Sequence, residues 1–227
     1  MPENSLKPDF FEFFIELSAN NRKGWFDENR TRYEQDVKKP FEILVGDLLG
    51  AFAKHQKKEI TVRSGDCIFR INRDIRFSKD KTPYKLNRSA VISPEGKKSL
   101  GPDGFYFEAG PEQCAFYAGF YMPDKDQLMQ IRRHIAGNPE TWEKIKAEKA
   151  FKSTFGEILG STQKRIPAEF TSVKNLPKEV YNTQFYIQHL MEPEAFIEQD
   201  PVKVLMNLWN TAQKLTKFLS DATHVQD

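Results

Sequence analysis

An α+β fold, with a central antiparallel β-sheet packed by N-terminal and C-terminal helices, is predicted by the order in which the hydrophobic period changes along the chain. Apolar residues recur first at helical spacing, then alternate with period two through the middle, then return to helical spacing. Elements segregated in this way give α+β rather than a doubly wound parallel sheet. The chain carries no internal repeat, low-complexity tract or linker-like stretch, so one domain over residues 1–227 is expected.

Phe10, Phe13, Phe14 and Leu17 fall at i, i+3, i+4 and i+7, which predicts a helix over residues 9–19 ended by Asn20-Asn21. A second helix is expected from Arg22 to Asp36, with Pro40 interrupting before a third. That third helix carries Phe41, Leu44, Val45, Leu48, Leu49 and Phe52 on one face. Ile60–Val62, Cys67–Ile71 and Ala90–Ile92 read as short strands. Residues 104–109 and 114–121 alternate around Gly110-Pro111-Glu112-Gln113, the clearest hairpin, which sets Phe107 opposite Phe116 and Phe105 opposite Ala118 on the core face. Tyr106, Tyr117, Gly119 and Tyr121 then share the other face. Asp124 caps a helix bearing Leu128, Ile131 and Ile135, which Gly137 ends. One or two helices follow over residues 139–155, then irregular chain over 160–180 and a strand from Gln184 to Leu190. Asp200-Pro201 opens the last helix, with Val204, Leu205, Leu208, Leu215, Phe218 and Leu219 on its apolar side and a frayed tail from Asp221.

A chain of 227 residues buries roughly 70% of its unfolded surface, enough for a core without covalent staples. Its 13% aromatic content fits a globular protein and not a disordered one. The net charge of +2 creates no global field toward nucleic acid or membrane, so any preference for anions has to be local. Cys67 and Cys114 are too few for a disulfide framework or a four-ligand zinc site and read as buried thiols. Met1 to Asp9 holds no apolar signal core and no apolar run spans a membrane, so a cytoplasmic protein is expected.

Local positive charge is concentrated between Arg70 and Arg88. This segment holds seven cations (Arg70, Arg73, Arg76, Lys79, Lys81, Lys85, Arg88) against Asp74 and Asp80, a local charge of +5. In extended chain, Arg70, Asn72, Asp74 and Arg76 share one wholly polar face. Guanidinium forks grip phosphate or carboxylate by two bonds, and Asp74 is placed to hold one of them. Residues 78–83 are turn-like and set their lysines on a loop. Two readings stay open: an anion site, best suited to phosphate groups, and an Arg–Asp network pinning a long loop.

The pattern Arg70-x-x-Arg73-Asp74-x-Arg76-Phe77, followed by Asp80-Lys81-x-x-Tyr84, resembles the signature of the DUF2461 family of bacterial and some fungal proteins. Asn20-Asn21, Trp25-Phe26, Asn29-Arg30 and Tyr33 resemble its first block, and Gly119, Met122-Pro123, Leu128 and Arg132 its middle one. Lys164-Arg165 and Pro167 resemble a later block, which departs where Ala168-Glu169 stand in place of Lys-Gly. The resemblance covers nearly the whole chain and implies no activity.

Trp25, Asn29 and Tyr33 lie on one helical face, either lining a cleft or forming a helix–sheet seam. Tyr106, Tyr117 and Tyr121 make either a stacking wall beside the cations or a covered second face of the sheet. His55, His134, His189 and His224 have no His or Cys at ligand spacing, and Asp74 with Asp80 is a weak Mg²⁺ signal. Walker, Rossmann and Gly-x-Ser-x-Gly motifs are all missing from the sequence. No cofactor is indicated. Two functions follow as expectations. In the first, Arg70, Arg73, Arg76, Tyr84 and Lys85 bind a phosphorylated small molecule, with Asp74 orienting a guanidinium or acting as base and Lys81 neutralising developing charge. In the second, less favoured by the near-neutral chain, the segment belongs to a non-catalytic nucleic-acid or protein-binding module.

Overall fold

The structure, a computed structural model, describes residues 6–99 and 101–223. Helices α1 (Pro8–Ala19), α2 (Lys23–Glu28) and α3 (Lys39–Gln56) precede the strands β1 (Arg88–Ile92), β2 (Phe105–Ala109) and β3 (Cys114–Phe120). Helices α4 (Lys125–Gly137), α5 (Pro139–Ala147) and α6 (Lys149–Phe155) follow, then strand β4 (Phe185–Met191) and helices α7 (Pro193–Glu198) and α8 (Pro201–Thr223). The strands form one four-stranded sheet in the order β1-β2-β3-β4, antiparallel and packed against N- and C-terminal helices. No helix of the described residues is long and apolar enough to cross a membrane. The chain divides into two compact units: Met1–Lys98 with Tyr106–Phe116 and Leu190–Met206, and Ser99–Phe105 with Tyr117–His189 and Asn207–Asp227.

In the first unit the core is largely aromatic. Phe10 lies edge-on to Phe14 at 5.4 Å and stacks with Phe41 at 6.2 Å, and Phe41 stacks in turn on Phe107 of β2 at 5.4 Å. All six apolar positions predicted for α3 are buried. The Trp25–Tyr33 stripe is a packing seam: Tyr33 lies against Phe13 and Phe26, Trp25 lies 5.5 Å from Phe13, and Asn29 caps the Trp25 carbonyl.

Pro40 does not interrupt the helix. A π turn over Tyr33–Lys38 runs directly into α3, with the Lys39 N–H donating to the Glu34 carbonyl five residues back. Widening the helix just before a proline gives the ring room against the preceding turn, where it otherwise clashes with a carbonyl and leaves that carbonyl without a donor. The expected strands at Ile60–Val62 and Cys67–Ile71 do not form. Ser64–Cys67 is a helical turn, and the following residues touch β1 through an Ile68–Ala90 bridge and a Phe69 N–H to Ser89 carbonyl bond of 2.9 Å. Short apolar runs bury equally well in irregular chain, so their composition does not separate the two outcomes.

The hairpin forms as predicted. Gly110 N–H donates to the Gln113 carbonyl at 3.2 Å, which sets the register that places Phe107 opposite Phe116. Phe105, Phe107, Phe116 and Ala118 are all buried. Both thiols are buried, and burial pushes Cys67 up to about 11 and Cys114 up to about 12, which leaves them protonated and inert.

In the second unit, Asp124 caps α4 in a capping box: its carboxylate accepts from Gln127 N–H at 2.8 Å while the Gln127 side chain accepts from Asp124 N–H at 2.9 Å. Trp142 of α5 is fully buried between Phe185 and Phe218. Gly119 has a φ of 119°, and a Cβ there would stand 2.3 Å from the Phe185 carbonyl oxygen, so β4 reaches β3 only because this residue has none. Helix α8 starts as predicted, with Asp200 accepting from Val202 N–H at 3.0 Å. It stays helical to Thr223, beyond the expected fraying point at Asp221; the last four residues of that expected tail lie outside the described residues. Helix α7 belongs to the first unit, has no counterpart among the expected elements, and carries Pro193 in its first turn.

Candidate functional site

The Arg70–Arg88 segment, within the first unit, doubles back on itself as a two-limbed arm. Its two limbs pair at an Asn72–Tyr84 bridge, flanked by Arg73 N–H to Pro83 carbonyl (2.9 Å) and Lys85 N–H to Ile71 carbonyl (2.8 Å) bonds. Asn21 fixes the junction from the α1–α2 loop. Its carboxamide donates to the Tyr84 carbonyl at 2.9 Å and accepts from Tyr84 N–H at 3.1 Å. The Tyr84 ring is buried and stacked on Phe26 at 4.2 Å, so this side chain anchors the arm.

The predicted alternation is present, with Arg70, Asn72, Asp74 and Arg76 exposed and Ile71 buried between them. Within the outer arm, both carboxylates are paired with arginines. Arg73 Nη1 donates to Asp80 Oδ2 at 2.5 Å, to the Thr82 carbonyl at 3.0 Å and to the Thr82 hydroxyl. Asp80 also accepts from Thr82 N–H at 2.9 Å; that bond, with Arg73 behind it, lowers its pKa. Asp74 receives both forks of Arg76, at 3.0 and 2.7 Å, which lowers the Asp74 pKa and raises that of Arg76. A carboxylate held this way is a weak proton acceptor. Lys81 Nζ donates to the Ile75 carbonyl at 2.9 Å. Phe77 is 96% exposed, with the Arg76 guanidinium 5.8 Å from its ring.

At the base of the arm the charges are not matched. Arg88, the first residue of β1, is only 5% exposed. Its Nη1 donates to the Phe69 carbonyl at 3.0 Å, its guanidinium lies 5.6 Å over the Phe41 ring, and its Nε is buried with no hydrogen-bond partner. No carboxylate among the described residues forms an ion pair with it; burial lowers its pKa against the more distant pull of Tyr33, Glu42 and Glu34. The half-buried Lys85 holds its ammonium 5.5 Å from the Phe69 ring. Burial first, then repulsion from Arg88 and Arg70, lowers the Lys85 pKa, with Glu108 pulling the other way. Glu108 itself accepts from Tyr106 hydroxyl at 2.8 Å and Asn87 at 3.3 Å. Tyr106 packs 6.0 Å from Phe69, beside these cations. In the second unit Tyr117 and Tyr121 pack on Tyr186, at 6.4 and 5.3 Å.

The structure therefore sets Lys85 where both Arg88 and Arg70 repel it and keeps Arg73, Arg76, Asp74 and Lys81 in internal bonds of the arm. Arg88 was counted among the cations and not singled out. Period-two alternation marks it: Arg88, Ala90 and Ile92 share a face, and the latter two are core residues. Among the described residues, no group of three or more His, Cys, Asp or Glu is arranged to hold a metal.

A two-limbed arm clamped by Asn21 and carrying the Arg73–Asp80 and Asp74–Arg76 pairs is built from the residues that carried the resemblance. The family model agrees over residues 9–218, and the chain belongs to DUF2461, described as a conserved hypothetical protein. No curated protein matches the chain.

Proposed function

We propose that this protein binds an anionic group, a phosphate of a small molecule, at the base of the arm, with Arg70, Lys85 and Arg88 as its cationic contacts. One observation carries the reading: Arg88 and Lys85 are withdrawn from water beside each other without a bonded carboxylate. Withdrawing charge from water costs several kcal/mol unless a counter-charge compensates it, and a phosphate would compensate two or three cations at once. The outer arm positions this base. Its Arg73, Arg76 and Lys81 are already bonded to Asp80, Asp74 and backbone carbonyls. Asp74 serves to orient Arg76, since both its oxygens accept from that guanidinium.

The test is a thermal-shift and calorimetric screen with inorganic phosphate, sugar phosphates and nucleotides. A ligand at 100 times its Kd stabilises by about 2.7 kcal/mol. Arg88→Met is expected to weaken binding at least tenfold, since a charged hydrogen bond contributes about 1.5–3 kcal/mol. A flat panel, or undiminished binding by Arg88→Met, would overturn the reading.

Phe77 favours a second reading, a non-catalytic module for single-stranded nucleic acid. A fully exposed ring with a guanidinium beside it and Lys79 nearby in sequence presents a stacking platform among cations. This reading requires affinity that falls with salt, by about 0.7 log–log units for each phosphate contacted on a single strand. Salt-independent binding would remove it.

A further inference from the structure

A cavity lies in the second unit, beside a short antiparallel pairing of residues 159–163 with 181–186. Leu159 N–H donates to the Tyr186 carbonyl at 2.7 Å, Thr183 N–H to Ser161 at 2.8 Å and Gln163 N–H to Tyr181 at 2.8 Å. At Gly160 the two segments come too close for a side chain: a Cβ there would stand 2.0 Å from the Gln184 carbonyl oxygen and 3.0 Å from Asn182 Nδ2. The cavity has a volume of about 190 Å³, and Ile158, Gly160, Thr162, Lys178 and Asn182 are among its walls.

Asn182 is the unusual member. It is 5% exposed, its N–H donates to the Glu179 carbonyl at 2.8 Å, and its carbonyl accepts from Arg132 Nη2 at 3.0 Å. Its carboxamide makes no hydrogen bond to another described residue and keeps contact with solvent through the cavity it lines. A carboxamide facing a cavity offers an entering group two donor hydrogens and an acceptor oxygen.

The charged groups around it are already occupied. The Glu179 carboxylate, also in the wall, accepts from Trp142 Nε1 at 3.0 Å and from Lys146 Nζ at 3.0 Å. Lys178 pairs with Glu157 at 3.4 Å. The cavity wall thus offers a neutral donor–acceptor pair next to the apolar Ile158. Its volume is below the roughly 300–1,000 Å³ of drug-sized sites, which suits a single ring.

We propose that this cavity binds a single planar ring with an amide-type edge, of the nucleobase or nicotinamide class, and that Asn182 reads the edge through paired hydrogen bonds. Donor and acceptor on one carboxamide match a neighbouring acceptor and donor on such a ring, the pairing by which Asn reads adenine. The inference is independent of the anion site.

The test is a ¹H–¹⁵N titration of the full chain with cytosine, uracil and nicotinamide, and with phenol as a ring of similar size that lacks the amide edge. At least one amide-edged ring is expected to give saturable shifts at Gly160, Thr162 and the Asn182 side-chain amide. Asn182→Leu, which keeps the volume and removes both hydrogen-bonding groups, is expected to weaken it at least tenfold, while Arg88→Met leaves it unchanged. Asn182→Asp, which keeps the shape and removes the donor, gives the same reading if the leucine variant does not fold. No shift at these residues with any of the three rings, equal binding of phenol, or undiminished binding by the folded variant would overturn the proposal.

Discussion

Glu179 in the second unit and Arg88 in the first are buried to nearly the same degree, 2% and 5% exposed, and differ in what surrounds them. Glu179 accepts three hydrogen bonds, from Trp142 Nε1 and twice from Lys146, which is itself also paired with Glu143. Burial raises the Glu179 pKa, and those donors outweigh it, so the net shift is downward. Arg88 has one hydrogen bond, to a neutral carbonyl, and a buried Nε with none. Desolvating a charge costs several kcal/mol, which a well-bonded partner recovers and a neutral carbonyl recovers only in part. Glu179 therefore ties α5 to the segment before β4, whereas Arg88 holds a charge that no carboxylate among the described residues is bonded to.

The largest expected effect tests this difference directly. Lys146→Met leaves the Glu179 carboxylate buried with Trp142 as its remaining donor and is expected to destabilise the protein by about 3 kcal/mol, at the lower end for a broken buried pair. Arg88→Met removes a cation that has no bonded counter-charge and should change stability by no more than about 1 kcal/mol in either direction. Urea denaturation of both variants reads the comparison. Equal, large losses would make Arg88 a structural residue and end the argument for a stored charge.

The next effect separates the two regions by pH. Glu179 has a lowered pKa, so its stabilisation is present above the unfolded value, about 4.3, and is lost as pH falls through the folded value. Lys85 has a lowered pKa among Arg88, Arg70 and Glu108, so the folded state holds its proton less tightly than the unfolded state. The resulting penalty is present at neutral pH and disappears as pH rises through the folded value toward the unfolded one, about 10.4. Lys85→Met is accordingly expected to be more stable relative to the wild type at pH 7 than at pH 10, and Glu179→Gln to lose its disadvantage as pH falls through the lowered folded value of the carboxyl. A constant gap between Lys85→Met and wild type across the alkaline range would mean that Lys85 is not strained by its neighbours. If phosphate binds at the proposed site, it should reverse the Lys85 shift, and binding at alkaline pH should then take up protons, measurable by calorimetry in buffers of different ionisation enthalpy.

These contrasts were partly legible in the sequence. The α3 stripe, the hairpin register and the Asp124 cap were readable because each depends on neighbours in sequence. The outer arm was also readable: an Asp two residues before Arg76 and one two residues before Thr82 bond locally. Arg73 was harder, because its partner Asp80 lies across the arm and not beside it as Asp74 does. The base of the site depends on what β1 packs against. Nothing local says that Phe41 and Phe69 stand around Arg88, although its alternation with Ala90 and Ile92 points inward. Glu179 was invisible for the same reason, since its donors come from a helix more than thirty residues earlier in the chain. The π turn was hidden because Pro40 reads as a break when the preceding helix is assumed to keep its ordinary width.

The smallest expected effect concerns the tip of the arm. Phe77 is 96% exposed, so Phe77→Ser removes almost no buried area and should leave stability within about 0.5 kcal/mol of the wild type. The same substitution leaves Arg70, Lys85 and Arg88 in place, so phosphate affinity at the base should be unchanged. Affinity for a single-stranded oligonucleotide, if the arm is a stacking platform, should fall by about 1–3 kcal/mol, the contribution of one base–aromatic stack. Measuring both ligands on this one variant assigns the tip and the base separately. Loss of the oligonucleotide alone gives the arm a macromolecular partner, and loss of phosphate alone would show that the exposed ring closes over the base and that the two regions act as one site.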